Sequence, residues 1–225
     1  MVTETHFQKE LEELKWNLLR MAATVEEAIH DAVQSLVKRD SELAQKTFEV
    51  EDRINKLEIT IDDMCLKLLA LRQPMAADLR FITSAMKMIT DLERMGDQAV
   101  NIAERALSLN QEPQLKPYID IPRMAEITQS MLKDVLDAFV NRDPKLARSV
   151  CERDDVVDEL NDQVMRELLT YMMSDPKAIP RAVHLMIASR CLERIADHAT
   201  NIAEDVIFMV DALIIKHHAD VEEKG

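Results

Sequence analysis

LERMGDQAVNIAE at 92–104 and LERIADHATNIAE at 192–204 are two copies of one segment, identical at nine of thirteen positions and 100 residues apart. The duplication extends outward. KRDSELAQ (38–45) matches NRDPKLAR (141–148) at an offset of 103. The offset changes by three, which assigns about three extra residues to the first copy, in the turn after its second helix, where loops absorb insertions. Units of roughly 100 residues are too long for a short solenoid repeat. Each is large enough to own a core.

Composition makes the unit helical. The 225 residues include only 2 glycines and 4% aromatics, against 14 methionines and many Leu, Ala, Glu and Lys. Sheets favour aromatic and β-branched residues and hairpins favour glycine, whereas this mixture suits helices. Hydrophobic residues at 47% and charged residues at 31% are ordinary for a folded domain.

Apolar stripes at 3–4 spacing predict three helices before the connector. The first spans about Phe7 to Val37, carrying Leu11, Leu14, Leu18, Met21 and Val25. The second runs from Asp40 or Ser41, as N-cap, to about Leu71, with Ile54, Leu57, Ile61, Met64, Leu68 and Leu71 on one stripe. After a break at Arg72-Gln73-Pro74, the third covers about Ala77 to Leu109, with Leu79, Ile82, Met86, Ile89 and Leu92 facing inward. NQEPQLKPYIDIP (110–122) holds three of the seven prolines and reads as the connector. Helix four starts near Arg123 and stops at Asn141-Arg142. Asp143-Pro144 caps helix five, which runs to about Met173. Helix six follows Ser174-Asp175-Pro176, from about Arg181 to Ile215, and the tail HHADVEEKG is expected to fray. The expected fold is all-α: two tandem three-helix bundles related by a pseudo-twofold, over 1–110 and 123–225, joined by 111–122.

Net charge is −14. It opposes nucleic-acid binding and direct docking on anionic lipid, and favours cations and basic protein surfaces. The three cysteines, Cys65, Cys151 and Cys191, show no CxxC spacing and indicate no disulfide framework. The first residues lack a signal-peptide pattern, and no stretch reaches the ~20 apolar residues of a membrane span. A reducing cytoplasm is the expected location.

The repeated segment also carries acids. Glu93, Asp97 and Asn101 recur every four residues, so they share a helix face, which Glu104 joins. Glu193, Asp197, Asn201 and Glu204 repeat the row. The second helix of the later copy adds Asp154 and Asp158, whose counterparts at offset 103 are Glu51 and Asn55, with Asp52 and Asp155 alongside. Carboxylates at i and i+4 repel, and a bound cation reverses the sign. Oxygen-only donors favour hard cations. A lone acidic row on a helix is usually a solvated face. Here the rows come in pairs, occur in both copies and adjoin the apolar stripe, where Arg94 and Arg194 are the alternative partners. His198 has Gln98 as its counterpart and is expected at the rim. Glu27-x-x-His30 is a single pair where di-iron oxidase bundles need two. His217-His218 reads as a chance pair. No P-loop, GxSxG or HExxH occurs, so nothing in the sequence calls for a reaction.

The duplicated segments, RQPMAADLR (72–80) and DVLDAFVNRD (134–143) resemble the PhoU family of accessory and regulatory proteins of bacterial phosphate-specific transport, along nearly the whole chain. The resemblance implies two three-helix bundles, each able to hold a multinuclear metal cluster, often iron, with manganese, magnesium and zinc as alternatives. It implies ligands Glu93, Asp97 and Glu51 in the first bundle, with Asn55 departing from the carboxylate pattern. In the second bundle it implies Glu193, Asp197, Asp154 and Asp158. It further implies restraint of phosphate uptake and of the phosphate-starvation response, through contacts with a sensor histidine kinase and the transporter's ATPase subunit at the inner membrane face. A homodimer is expected from exposed helix faces and Met-rich stripes. A carboxylate–metal oxidase or hydrolase and a purely structural scaffold are the competing readings.

Overall fold

The structure, a computed structural model, describes residues 6–212. Six long helices account for nearly all of them: α1 (His6–Val37), α2 (Ser41–Arg72), α3 (Ala76–Asn110), α4 (Asp120–Asn141), α5 (Pro144–Ser174) and α6 (Ile179–Asp211). No strand occurs among the described residues. The expected ends hold to within a few residues, except that α4 starts three residues before Arg123 and takes Pro122 into its first turn, where proline lacks no needed N–H. The tail at 217–225, with the His217-His218 pair and the expected last residues of α6, lies outside the described residues.

One three-residue device makes the first corner of each copy. Arg39 (φ 58°) and Arg142 (φ 52°) are left-handed, a conformation usually given to glycine. The following aspartate closes one helix and opens the next. Its N–H bonds back across the last turn, Asp40 to Ser35 O and Asp143 to Ala138 O, both at 2.9 Å. Its carboxylate accepts from the first free amides: Asp40 from Glu42 N (3.0 Å) and Leu43 N (3.1 Å), Asp143 from Lys145 N (2.9 Å) and Leu146 N (3.1 Å). The three extra residues of copy one do not enlarge its second turn. They lengthen the helices: α3 starts at Ala76, whereas α6 starts at Ile179, the counterpart of Leu79.

Within each copy the three helices pack pairwise, and the copies join chiefly through α3 against α6, with α1 beside α4. The α3–α6 crossing is antiparallel. Arg80 Nε donates to Met209 O (3.2 Å), Ser84 Oγ to Asp205 O (3.4 Å), and Asp91 meets His198. Phe81 of α3 stacks on Phe139 of α4 with centroids 5.2 Å apart. The two copies therefore share one continuous core, from Leu14 through Leu92 and Leu132 to Met209, in place of two separate ones. Two stripe residues depart from expectation. Leu71 (72% exposed) and Leu79 (42%) are surface residues that flank the α2–α3 turn, Leu71 beside Glu10 and Glu13 of α1.

The connector is tied down. Arg39 Nη2 donates to Leu109 O (3.1 Å) and Asn110 O (3.0 Å), and also to Glu112 O. Arg181 Nη1 donates to Pro113 O (3.0 Å), and buried Lys116 pairs with Glu167. These bonds separate two otherwise equivalent arginines. Arg142→Gly should leave thermal stability unchanged or raise it, by up to about 1 kcal/mol, by relieving the left-handed backbone. Arg39→Gly gains the same relief but frees the connector, and should lower the melting temperature. Equal melting shifts for the two variants would contradict this account.

Candidate metal centre

Each copy brings an acidic strip of its second helix against one of its third. In the second copy Asp154 and Asp158 of α5 face Glu193 and Asp197 of α6. Glu193 is buried, Asp154 half-buried, and Asp158 and Asp197 are exposed. Burial, followed by the charges of Asp197, Asp158 and Asp155, pushes the Asp154 carboxyl up to about 6, with the neighbouring Thr200 hydroxyl offsetting a little. Burial and Asp197 push Glu193 up to about 7 against the opposing charge of Arg190, with Asp158 and Asp154 adding to the rise. Asp158 is raised by burial and then by Asp197. Glu193 accepts from Arg190, yet its other oxygen, Oε2, is buried without a partner, as is Asp154 Oδ1. Neither Arg94 nor Arg194 forms an ion pair with these rows.

The first copy reaches the same number of acids by another route. Asn55, where the second copy has Asp158, donates to Glu51 Oε1 at 3.2 Å. Glu58 lies one turn further along α2. It is raised by burial and by the charges of Asp62 and Asp97. Glu93 is raised by burial, Asp97, Glu58 and Glu51 against Arg94, and Asp97 by burial. Glu51, Glu58, Glu93 and Asp97 thus form the first cluster. Glu58 escapes sequence comparison because its counterpart at offset 103 is Asn161, which accepts from Ser189 at 2.9 Å. The 51–55–58 spacing, on one helix face, is the signal that could have found it.

Packing sets the distance between the helices. A Cβ on Gly96, between Glu93 and Asp97, would come within 2.9 Å of Ile54 Cδ1 on α2. The second copy has Ala196 and, across from it, Val157, both fully buried. One methylene has moved from α5 to α6, so the seam keeps its volume.

The remaining acidic-row residues point elsewhere. Asn201 Nδ2 donates to Asp91 Oδ1 (3.3 Å) in the other copy, which also lies 2.8 Å from His198 Nδ1. His198 is therefore buried between the copies and not at the cluster rim. Asn101 lines a groove with Arg190 and Arg194. Glu104 pairs with Arg105 (2.7 Å). Glu27 pairs with Lys46 (3.5 Å) and Arg53 (3.1 Å) and His30 is exposed, so that pair builds no metal site of the oxidase kind. Among the described residues no three carboxylate, histidine or cysteine side chains are yet drawn around one point. The second cluster nonetheless has the chemistry a hard cation satisfies: oxygen donors only, mutual repulsion, and two buried oxygens, of which Glu193 Oε2 has no donor and Asp154 Oδ1 has only the neighbouring Thr200 hydroxyl.

Comparison with known proteins agrees with the duplication. The sequence model described as PhoU domain matches residues 18–106 and 121–206. A phosphate-specific transport system accessory protein PhoU homolog from Aquifex aeolicus is 48% identical over 96% of this chain and 98% of its own length. One from Pseudomonas aeruginosa is 44% identical over 94% and 88%. The crystal structure of PhoU from Pseudomonas aeruginosa superposes with a TM-score of 0.90, covering 92% of this chain and all of that one. The phosphate transport system regulatory protein PhoU from Streptococcus pneumoniae, 30% identical, gives 0.85 over 93% and 99%.

Two outcomes follow from the geometry. Asp154 and Glu193 have folded-state pKa values above their ordinary 3.8 and 4.5. They stabilise the cation-free protein when protonated, and this contribution is lost as pH rises through about 6 to 7. Denaturant unfolding in chelator should therefore show stability rising from about pH 8 to pH 5, by an order of a few kcal/mol after solvent screening. Asp154→Asn with Glu193→Gln should flatten that slope, and an unaltered slope would refute the assignment. In the first copy, Ile54→Val should cost about 1 kcal/mol beside Gly96 but little in a Gly96→Ala background. Strict additivity in that double-mutant cycle would show that the two positions do not set the seam.

Proposed function

The chain belongs to the PhoU family, and from that membership we propose that it is a non-catalytic accessory protein that regulates phosphate-specific transport and restrains the phosphate-starvation response. The acidic seams would hold cations, as multinuclear iron clusters or as manganese, magnesium or zinc. The observation that carries the metal reading is the orphaned buried oxygen Glu193 Oε2, with Asp154 Oδ1 buried beside only the Thr200 hydroxyl, amid four mutually repelling carboxylates. A cation there would supply positive charge and cross-link α5 to α6. Asp158 and Asp197, exposed and free to change rotamer, would close on it. The first seam would use Glu51, Glu58, Glu93 and Asp97, with Asn55 holding Glu51 in place.

The partners would be a sensor histidine kinase and the transporter's ATPase subunit, and protein contacts would bring the chain to the inner face of the membrane from the cytoplasm. Two features support protein-mediated recruitment. Among the described residues no helix is long and apolar enough to cross a membrane, and a net charge of −14 disfavours anionic lipid. Exposed Met75 (78%) and Met173 (86%) at the hairpin tips offer apolar surface for such contacts or for a homodimer.

The test is elemental analysis joined to unfolding. Protein purified without chelator should hold metal, and Glu193→Ala with Asp197→Ala should remove the share of the second seam. Loading with iron or manganese should reverse the pH slope of stability, since a cation favours the ionised carboxylates. Metal content that is unchanged in the double variant would sink the site. Failure of the intact protein to retain kinase or ATPase subunit from solubilised membranes would sink the partner reading separately.

A further inference from the structure

The internal duplication allows two sides of one crossing to be compared within a single chain. On one side of the α3–α6 contact, the Asp91 carboxylate meets His198 at 2.8 Å and accepts from Asn201 at 3.3 Å. The offset of 100 maps Asp91, His198 and Asn201 onto Cys191, Gln98 and Asn101. The second side keeps the asparagine, has glutamine in place of histidine, and has lost the acid. The neighbouring ion pair is lost with it. Asp205, which pairs with Lys87 at 2.9 Å, is replaced by Arg105, and Lys87 by Ile187.

The result is a groove of about 680 Å³, lined by Gln98, Asn101, Arg190, which is paired with Glu193, the exposed Arg194, and an apolar wall that includes Met186 and Ile187. Gln98 is 8% exposed and makes no hydrogen bond among the described residues. Its amide opens on the groove, whereas its twin, His198, pairs with Asp91. The one acid at the groove, Asp162, sits at the outer rim beside Arg166 (4.0 Å). Guanidinium and carboxamide donors in a groove whose one acid lies at the rim are groups that recognise an oxyanion.

We propose that this groove binds a small organic anion, with a phosphate or carboxylate head between Gln98, Asn101 and Arg194 and its apolar body along Met186 and Ile187. Gln98, Asn101 and Arg194 donate to the head. The size of the groove exceeds what a bare inorganic ion fills, and the wall gives an apolar body surface to cover.

Calorimetric titration of the intact protein with phenyl phosphate, benzoate and inorganic phosphate tests this. Phenyl phosphate or benzoate should bind saturably with one site per chain, and inorganic phosphate more weakly. Arg194→Gln, an exposed side chain whose loss spares the core, should weaken binding about tenfold or more. Cys191→Asp rebuilds the Asp91 arrangement within the chain and should abolish binding, while Cys191→Ser retains it. Should Cys191→Asp not fold by circular dichroism, Arg194→Gln decides. No saturable binding at millimolar concentration, equal affinity for inorganic and phenyl phosphate, or affinity unaltered by Arg194→Gln overturns the proposal.

Discussion

The antiparallel packing of α3 on α6 is the contact on which the rest of the molecule depends. Each is the third helix of its own bundle and also half of the seam between bundles. Each must therefore bury apolar side chains on two sides, and the small residues Ala99, Ala103, Ala199 and Ala203 are fully buried along it. A helix buried on two faces has little surface left for charge. Its acids must sit at the edges of the buried stripes, where they meet the neighbouring helix of the same bundle. This is why Glu93 and Glu193, each following a fully buried leucine, are drawn into a half-buried and a buried position that burial makes uncomfortable.

Much of this was legible from residue order alone. The duplication, the six helices, the Arg-Asp corners and the meeting of two acidic strips follow from periodicity, capping chemistry and the turn of a helix. What escaped depends on relations between elements. Spacing places Asn101 and Asn201 on the acidic face. At that end, however, the face has turned toward the other bundle, whose position no single-helix argument supplies. Glu58 was invisible because aligning the copies pairs it with Asn161, which serves a buried hydrogen bond to Ser189. Leu71 and Leu79 continue an apolar stripe onto the surface beside the first turns of α1. A stripe says which way a residue faces and is silent on whether anything stands there.

The two copies also show how a duplicated fold drifts while its geometry is kept. The seam keeps its volume by trading Gly96 and Ile54 for Ala196 and Val157. The acid count is kept by trading Asp158 for Glu58 one turn away. At the crossing itself the exchange is not balanced. Asp91 and Asp205 have no acidic counterparts; Cys191 and Arg105 stand in their places. Packing constraints hold volume tightly because interiors are close-packed, whereas charge at a groove open to water is free to change.

Arg190 joins the features that the pseudo-twofold keeps separate. Its guanidinium lines the groove and pairs with Glu193, the most strongly raised carboxyl of the second cluster. Its counterpart in the first copy is Thr90, so only the second bundle has this bridge. A cation at Glu193 would compete with Arg190 for the same carboxylate. Displaced, the guanidinium would remain at the groove with its charge unpaired, and an anion there would bind more tightly. The coupling must be reciprocal: an anion that draws Arg190 away from Glu193 strengthens the need of that carboxylate for a cation. One arginine, shared between an acidic seam and a basic groove, is thus sufficient to make the two occupancies depend on each other without any change in the packing of the six helices.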